Sequence, residues 1–185
     1  VNQETLWANA DYVPTLGVDP IQFVKVSSSV VVGDPNTLAY FDAAGNLTDN
    51  TSAKFDSAFN SMSIGKVSTG GTIDASTQGA FAHGNAEISG DIMAANMGSH
   101  AHGLALASGQ INAASEGSEC AGNSSGGEIS VAITGYGSKA FGQAEDAGSV
   151  ISANGPGSIA HGRATTSSQI SADGQGADSS GFVDS

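Results

Sequence analysis

Basic side chains are scarce in this chain: five Lys and Arg stand against 18 Asp and Glu, for a formal net charge of −13. Nucleic acid is therefore not an expected partner, because holding phosphates takes clustered Lys and Arg, and these five are scattered. Acidity of this size keeps an extended, alanine-rich chain soluble. Cysteine is down to one residue, Cys120, which rules out any internal disulfide frame. Aromatics make up 6% and most stand before residue 60, so the remainder lacks the bulky groups that dominate most cores. No apolar run approaches the roughly 20 residues that span a bilayer, and the N-terminus lacks the basic and apolar pattern of an export signal. Membrane insertion is not expected. Charged residues total only 12%, too few for a charge-expanded disordered tail.

What the chain has in excess is glycine, 26 of 185 residues, about twice the usual share. From Ile73 onward these glycines keep register. Ile73, Ile92, Ile111, Val131, Ile151 and Ile170 are spaced by 19, 19, 20, 20 and 19 residues. Six residues after each stands a glycine (Gly79, Gly98, Gly117, Gly137, Gly157, Gly176), and eleven after it another (Gly84, Gly103, Gly122, Gly142, Gly162, Gly181). A flexible linker needs glycine in quantity, whereas these need position, which is the mark of a solenoid.

Within a copy, the anchor and the residue two further on share one face of a strand, and the first glycine marks a turn. A second strand follows whose inner positions are small, as in Ala82, Gly84, Ala86 or Ala140, Gly142, Ala144. Between them lie larger, chemically mixed residues such as Phe81, His83, His100, His102, Phe141 and His161, as on an outward face. Each copy thus reads as two short strands and two turns. Helix is not expected where Gly and Ser recur so often. The predicted fold is all-β: a parallel β-roll or β-solenoid with coils of 19–20 residues.

A face of alanine and glycine buries little apolar area at about 25 cal/mol per Å², while ordering each residue costs about 1.5 kcal/mol. This predicts that several copies of the chain wind together, an intertwined homotrimeric fibre, and share their core.

Residues 1–36 have another texture. Trp7, Tyr12, Leu16, Ile21 and Phe23 form an irregular apolar segment interrupted by Pro14 and Pro20, suited to a strap that anchors on another surface. The β-branched run from Phe23 to Val32 reads as a strand. Residues 37–72 read as hairpin material: a strand from Thr37 to Asp42, a turn at Ala43–Asn46, then further short strands at Ala53–Asp56 and Met62–Val67. The division expected is an anchoring arm over 1–36, a β-rich connector over 37–72 and a six-copy shaft over 73–185.

The stretch LAYFDAAGNLTDNTSAKFDSAFNSMSIGKVSTGGTI resembles the β-rich connector of bacteriophage tail-fibre and tail-spike proteins, in its order of aromatic-Phe-Asp, Gly-Asn-Leu-Thr, Phe-Asp and Ile-Gly elements. The copies GSHAHG, GSKAFG and GSIAHG are similar to repeats of such fibres and of trimeric autotransporter adhesin heads, although the period here is longer than in the adhesins. The resemblance implies a homotrimeric structural fibre on the surface of a virion. Its partners would be its own copies, other virion proteins through the N-terminal arm, and a host-surface glycan or protein. The alternatives are a fragment of a bacterial trimeric surface adhesin and a polysaccharide-degrading tail spike.

Chemistry-bearing constellations are few. His83, His102 and His161 share one repeat position, ten residues after the anchor, and His100 stands two residues before His102. Histidines that converge can hold a divalent metal. The row is broken by Ala121 and Phe141, so the expectation is a structural or solvent-facing row with no metal, and no cofactor is expected. No nucleophile elbow or phosphate-binding loop is present: Gly135-Tyr136-Gly137-Ser138 lacks the following Lys and the helix. Glu145-Asp146 reads as a solvated turn. Catalysis is not expected, and Cys120 reads as a buried filler in an alanine position.

Overall fold

Coils form because each copy repeats one sequence of local preferences: an apolar residue every second position, a glycine where the chain turns, then a longer strand with a small inner face. The computed structural model describes residues 7–9, 23–25, 37–41, 47–56 and 58–184, with side chains over 53–56 and 58–184. Among these residues all regular structure is β, and no helix is long and apolar enough to cross a membrane.

Strands β1 (Trp7–Asn9) and β2 (Phe23–Lys25) pair antiparallel as a separate ribbon. The arm residues Trp7 and Phe23 thus lie on paired strands, while Tyr12, Leu16, Ile21 and the expected continuation of β2 to Val32 lie outside the described residues. Strands β3 (Thr37–Phe41) and β4 (Leu47–Asp56) form an antiparallel hairpin, and β5 (Ser61–Val67) pairs antiparallel with β4. Beyond β5, every strand pairs parallel with the next in its sheet, and the one antiparallel contact among the described residues of that stretch is the isolated bridge of Gly126 with Glu145.

The short strands are β6 (Thr72–Ala75), β8 (Asp91–Ala94), β10 (Gln110–Ala113), β12 (Glu128–Val131), β14 (Val150–Ala153) and β16 (Gln169–Ala172). They make a six-stranded sheet in chain order. The long strands are β7 (Phe81–Ala86), β9 (His100–Leu106), β11 (Glu119–Ser125), β13 (Lys139–Glu145), β15 (Ile159–Ala164) and β17 (Asp178–Val183). With β5, β4 and β3 they make a nine-stranded sheet. The chain alternates between the two sheets, one short and one long strand per coil, through about six turns of a parallel β-solenoid.

The core lies between the sheets. Ile92, Ile111, Ile129 and Ile151 are fully buried, and opposite them stand the small inner residues of the long strands, Ala82, Ala101, Cys120, Ala140 and Ala160 on one side and Ala86, Ala105, Ser124, Ala144 and Ala164 on the other. The glycine between these pairs explains their smallness. A Cβ on Gly84 would lie 2.9 Å from Cδ1 of Ile92 and 2.0 Å from the carbonyl oxygen of Gly103. The Ile side chain occupies the notch that glycine leaves, so small and large residues interlock across the sheets. Cys120 sits in its alanine column, buried between Ala101 and Ala140, and burial pushes its thiol far up.

Three expectations change on this geometry. The small face does not await other chains, since it covers the isoleucine of the short strand that follows it in the same chain, and the central interior closes within one chain at zero exposure. The stack begins before Ile73: β5 pairs in parallel with β7, and Gly65 joins the glycine column opposite Gly84. Last, Val131 is not the fourth anchor. Ile111 pairs with Ile129 and Ile129 with Ile151, while Val131 stands between Ala113 and Ala153. The turn after β12 holds extra residues that loop outward, so Ile133 is 69% exposed. An even count of 19 or 20 therefore landed two residues late, on an equally β-branched pair.

Candidate site on the outer face of the long-stranded sheet

Parallel in-register pairing turns each outward position of the long strands into a column. One column runs Met62, Phe81, His100, Glu119, Lys139, Ile159, Asp178; the next runs Ile64, His83, His102, Ala121, Phe141, His161, Ser180. On a strand, residues two apart share a face, so His100 and His102 stand side by side, with Phe81 and His83 beside them on the adjacent strand.

The four rings form one cluster. His83 and His102 stack at 4.9 Å between centroids with 6° between planes. Phe81 stacks on His100 at 5.1 Å, and His100 lies 4.6 Å from His102. Across the diagonal, His83 Nε2 is 3.1 Å from His100 Nε2, a hydrogen bond in which one ring donates and the other accepts. His102 Nδ1 is buried and has no hydrogen-bond partner among the described residues. One nitrogen from each of the three histidines lies within 4.8 Å of the others.

Partial burial holds the imidazole pKa of His83 below its ordinary value, with His102 and His100 adding to the effect. His100 is lowered by burial and then by His102, against an opposing pull from Glu119, its neighbour on β11. Glu119 is itself paired with Lys139 at 3.1 Å. His83 and His100 thus favour neutral imidazole, the form that offers lone pairs.

Of the candidate row, the structure unites His83 with His102 and separates His161. The latter lies beyond Ala121 and Phe141, with its Nε2 3.7 Å from an Asp178 carboxylate oxygen. The residue that completes the group is His100, which the shared repeat position of the other three leaves out; its signal is the His-x-His spacing within β9. Elsewhere, charges pair from coil to coil: Lys66 with Glu87 at 2.6 Å and Arg163 with Glu145 at 2.9 Å. A recess over the first coil, lined by Lys54, Ser63, Ile64, Val67, Thr72 and Ile73 among others, carries one charged side chain and no acid–base pair.

The twelve repeat glycines fall into two structural classes. Gly79, Gly98, Gly117, Gly137, Gly157 and Gly176 occupy the turn with φ between +63° and +68°, and Gly84, Gly103, Gly122, Gly142 and Gly162 the close approach to the next long strand, while Gly181, on the last strand, has the same extended left-handed φ with no neighbour within 4 Å of an added Cβ. Comparison with protein-family models, curated proteins and solved structures found no match to this chain.

Proposed function

We propose that the chain is a structural fibre of a virion, most simply of a phage, whose stacked coils form a shaft that projects from the particle and takes part in attachment to the host surface. The observation that carries this reading is the continuity of one sheet through the hairpin β3–β4 and strand β5 into the parallel stack. A connector that hands its edge directly to the first coil transmits load along the rod. Seven long strands at the usual spacing of about 4.8 Å give a shaft of roughly 30 Å. Stacking is reinforced at the turns, where Gly98 donates to Gln78, Gly117 to Met97 and Gly157 to Tyr136 on the coil before.

The β1–β2 ribbon belongs to the part assigned to anchoring on other virion proteins. Homotrimer formation is part of the proposal and would use outer faces, since the interior is already closed; Ile64, Ile159 and Phe182 supply exposed apolar groups there. A bacterial surface adhesin is the second reading, favoured by the GSHAHG-type copies. Mass spectrometry of purified virus particles separates the two. Recovery of the chain in stoichiometric amounts with capsid and tail proteins is expected, whereas its recovery only in a bacterial envelope fraction would sink the virion assignment.

A further inference from the structure

We infer that His83, His100 and His102 form a binding site for one divalent transition-metal ion of the zinc class on the outer face of the long-stranded sheet. Three observations converge. The donors are three imidazoles, the ligand type that suits zinc, copper and nickel over magnesium or calcium. They come from two adjacent strands whose register is fixed by parallel pairing, so the backbone presets the site. One nitrogen from each ring already lies within 4.8 Å of the others, and the pair between His83 and His100 stands at 3.1 Å.

Tetrahedral zinc with bonds of about 2.05 Å places its ligand nitrogens about 3.4 Å apart. The widest separation therefore has to close by about 1.4 Å, within reach of side-chain rotation by partly buried rings. Nothing else engages Nδ1 of His102 among the described residues, and the His83–His100 contact is one that an ion between the rings would replace. Phe81 backs His100 and limits its tilt. Three protein ligands leave a coordination position toward solvent, as in zinc sites that keep an exchangeable water. His161 has no part in it, being three coils beyond His102 and beside Asp178. The inference does not depend on the fibre assignment.

The experiment uses the full chain, stripped with chelator and titrated with zinc chloride by calorimetry and with cobalt(II) by visible absorption. One ion per chain is expected, with cobalt bands of a tetrahedral nitrogen site. His83→Gln, His100→Gln and His102→Gln should each weaken binding by more than the roughly 10- to 100-fold that loss of a supporting group costs. His161→Gln should leave it unchanged. Circular dichroism of each variant in chelator checks that the outward-facing substitutions leave the sheets intact. As a readout independent of affinity, imidazole nitrogen resonances of three of the four histidines should shift on zinc addition and those of His161 should not. Zinc uptake that survives in the triple variant, or wild-type binding no tighter than that variant's, overturns the site.

Discussion

His83 and His100 sit below the ordinary imidazole value of 6.5, by burial first and ring neighbours second. In metal-free protein the unfolded chain, with its higher pKa, therefore takes up protons before the folded one as pH falls. The sign follows from linkage: more protons on the unfolded state means that stability rises with pH and is lost on acidification. Chelator-treated protein should melt at progressively lower temperature as pH drops below about 6.5, until His83 and His100 protonate in the folded state as well. The groups that face the cluster are Phe81, Ile64, Ala121 and Glu119, the last already paired with Lys139. His83→Gln should flatten the melting profile between neutral pH and 5; an unchanged slope would place the acid sensitivity elsewhere.

At the scale of the element, the two glycine columns look alike in the sequence and differ in what they tolerate. Gly103 has φ +139° and its added Cβ would sit 2.0 Å from the Gly122 carbonyl oxygen, so a side chain there pushes two strands apart. Gly117 has φ +64° with nothing within 4 Å of the added atom. Gly103→Ala should cost more than about 3 kcal/mol, and Gly117→Ala only about 1 kcal/mol of left-handed backbone penalty. Chemical denaturation of both variants measures the contrast, and equal losses would refute the close-approach account.

The opposite turn carries its own strain. Ile88 and Ser89 have φ +52° and +61°, and Gly90 donates to the Glu87 carbonyl at 3.0 Å, a tight turn with two left-handed residues in the manner of type I′. A β-branched residue is the worst choice there, and the Ile88 side chain is 58% exposed, so it earns little packing in return. Ile88→Asn should therefore stabilise by about 1 kcal/mol, read as a rise in melting temperature.

For the whole molecule, stability is a sum of coils and of contacts between neighbours. A middle coil has a neighbour on both sides and an end coil has one, so the cost of a cavity depends on place. Ile111, fully buried between Ile92 and Ile129, should cost about 2–5 kcal/mol as Ile111→Ala. Ile170, paired with Ile151 alone among the short strands and 3% exposed, should cost less. Amide hydrogen exchange should show the same gradient, slowest in β8–β13 and fastest in β17, most of whose residues are exposed. Uniform protection along the stack would contradict nearest-neighbour coupling.

The all-β solenoid, the turn glycines and the alternation of small inner with large outer residues were legible from spacing, because backbone conformation and facing are local properties that repeat with the period. The connector's strand pairing was legible for the same reason, but its division was not, since the short strand expected at Ala53–Asp56 is the end of one continuous strand from Leu47. Register at the fourth coil was not. Ile129, Val131 and Ile133 offer two equally good β-branched pairs, and only hydrogen bonding to the neighbouring strands chooses between them. Nor could composition show where the small face points. Alanine and glycine suggest a core too thin for one chain until the isoleucines are seen to fill the glycine notches of the preceding long strand. The histidine cluster lies between these cases: His-x-His is local, but the approach of His83 to His100 depends on a pairing 17 residues apart in the chain. Sequence by itself determines what repeats, and the tertiary structure decides which repeats touch, because contact is set by cross-strand register and not by spacing along the chain.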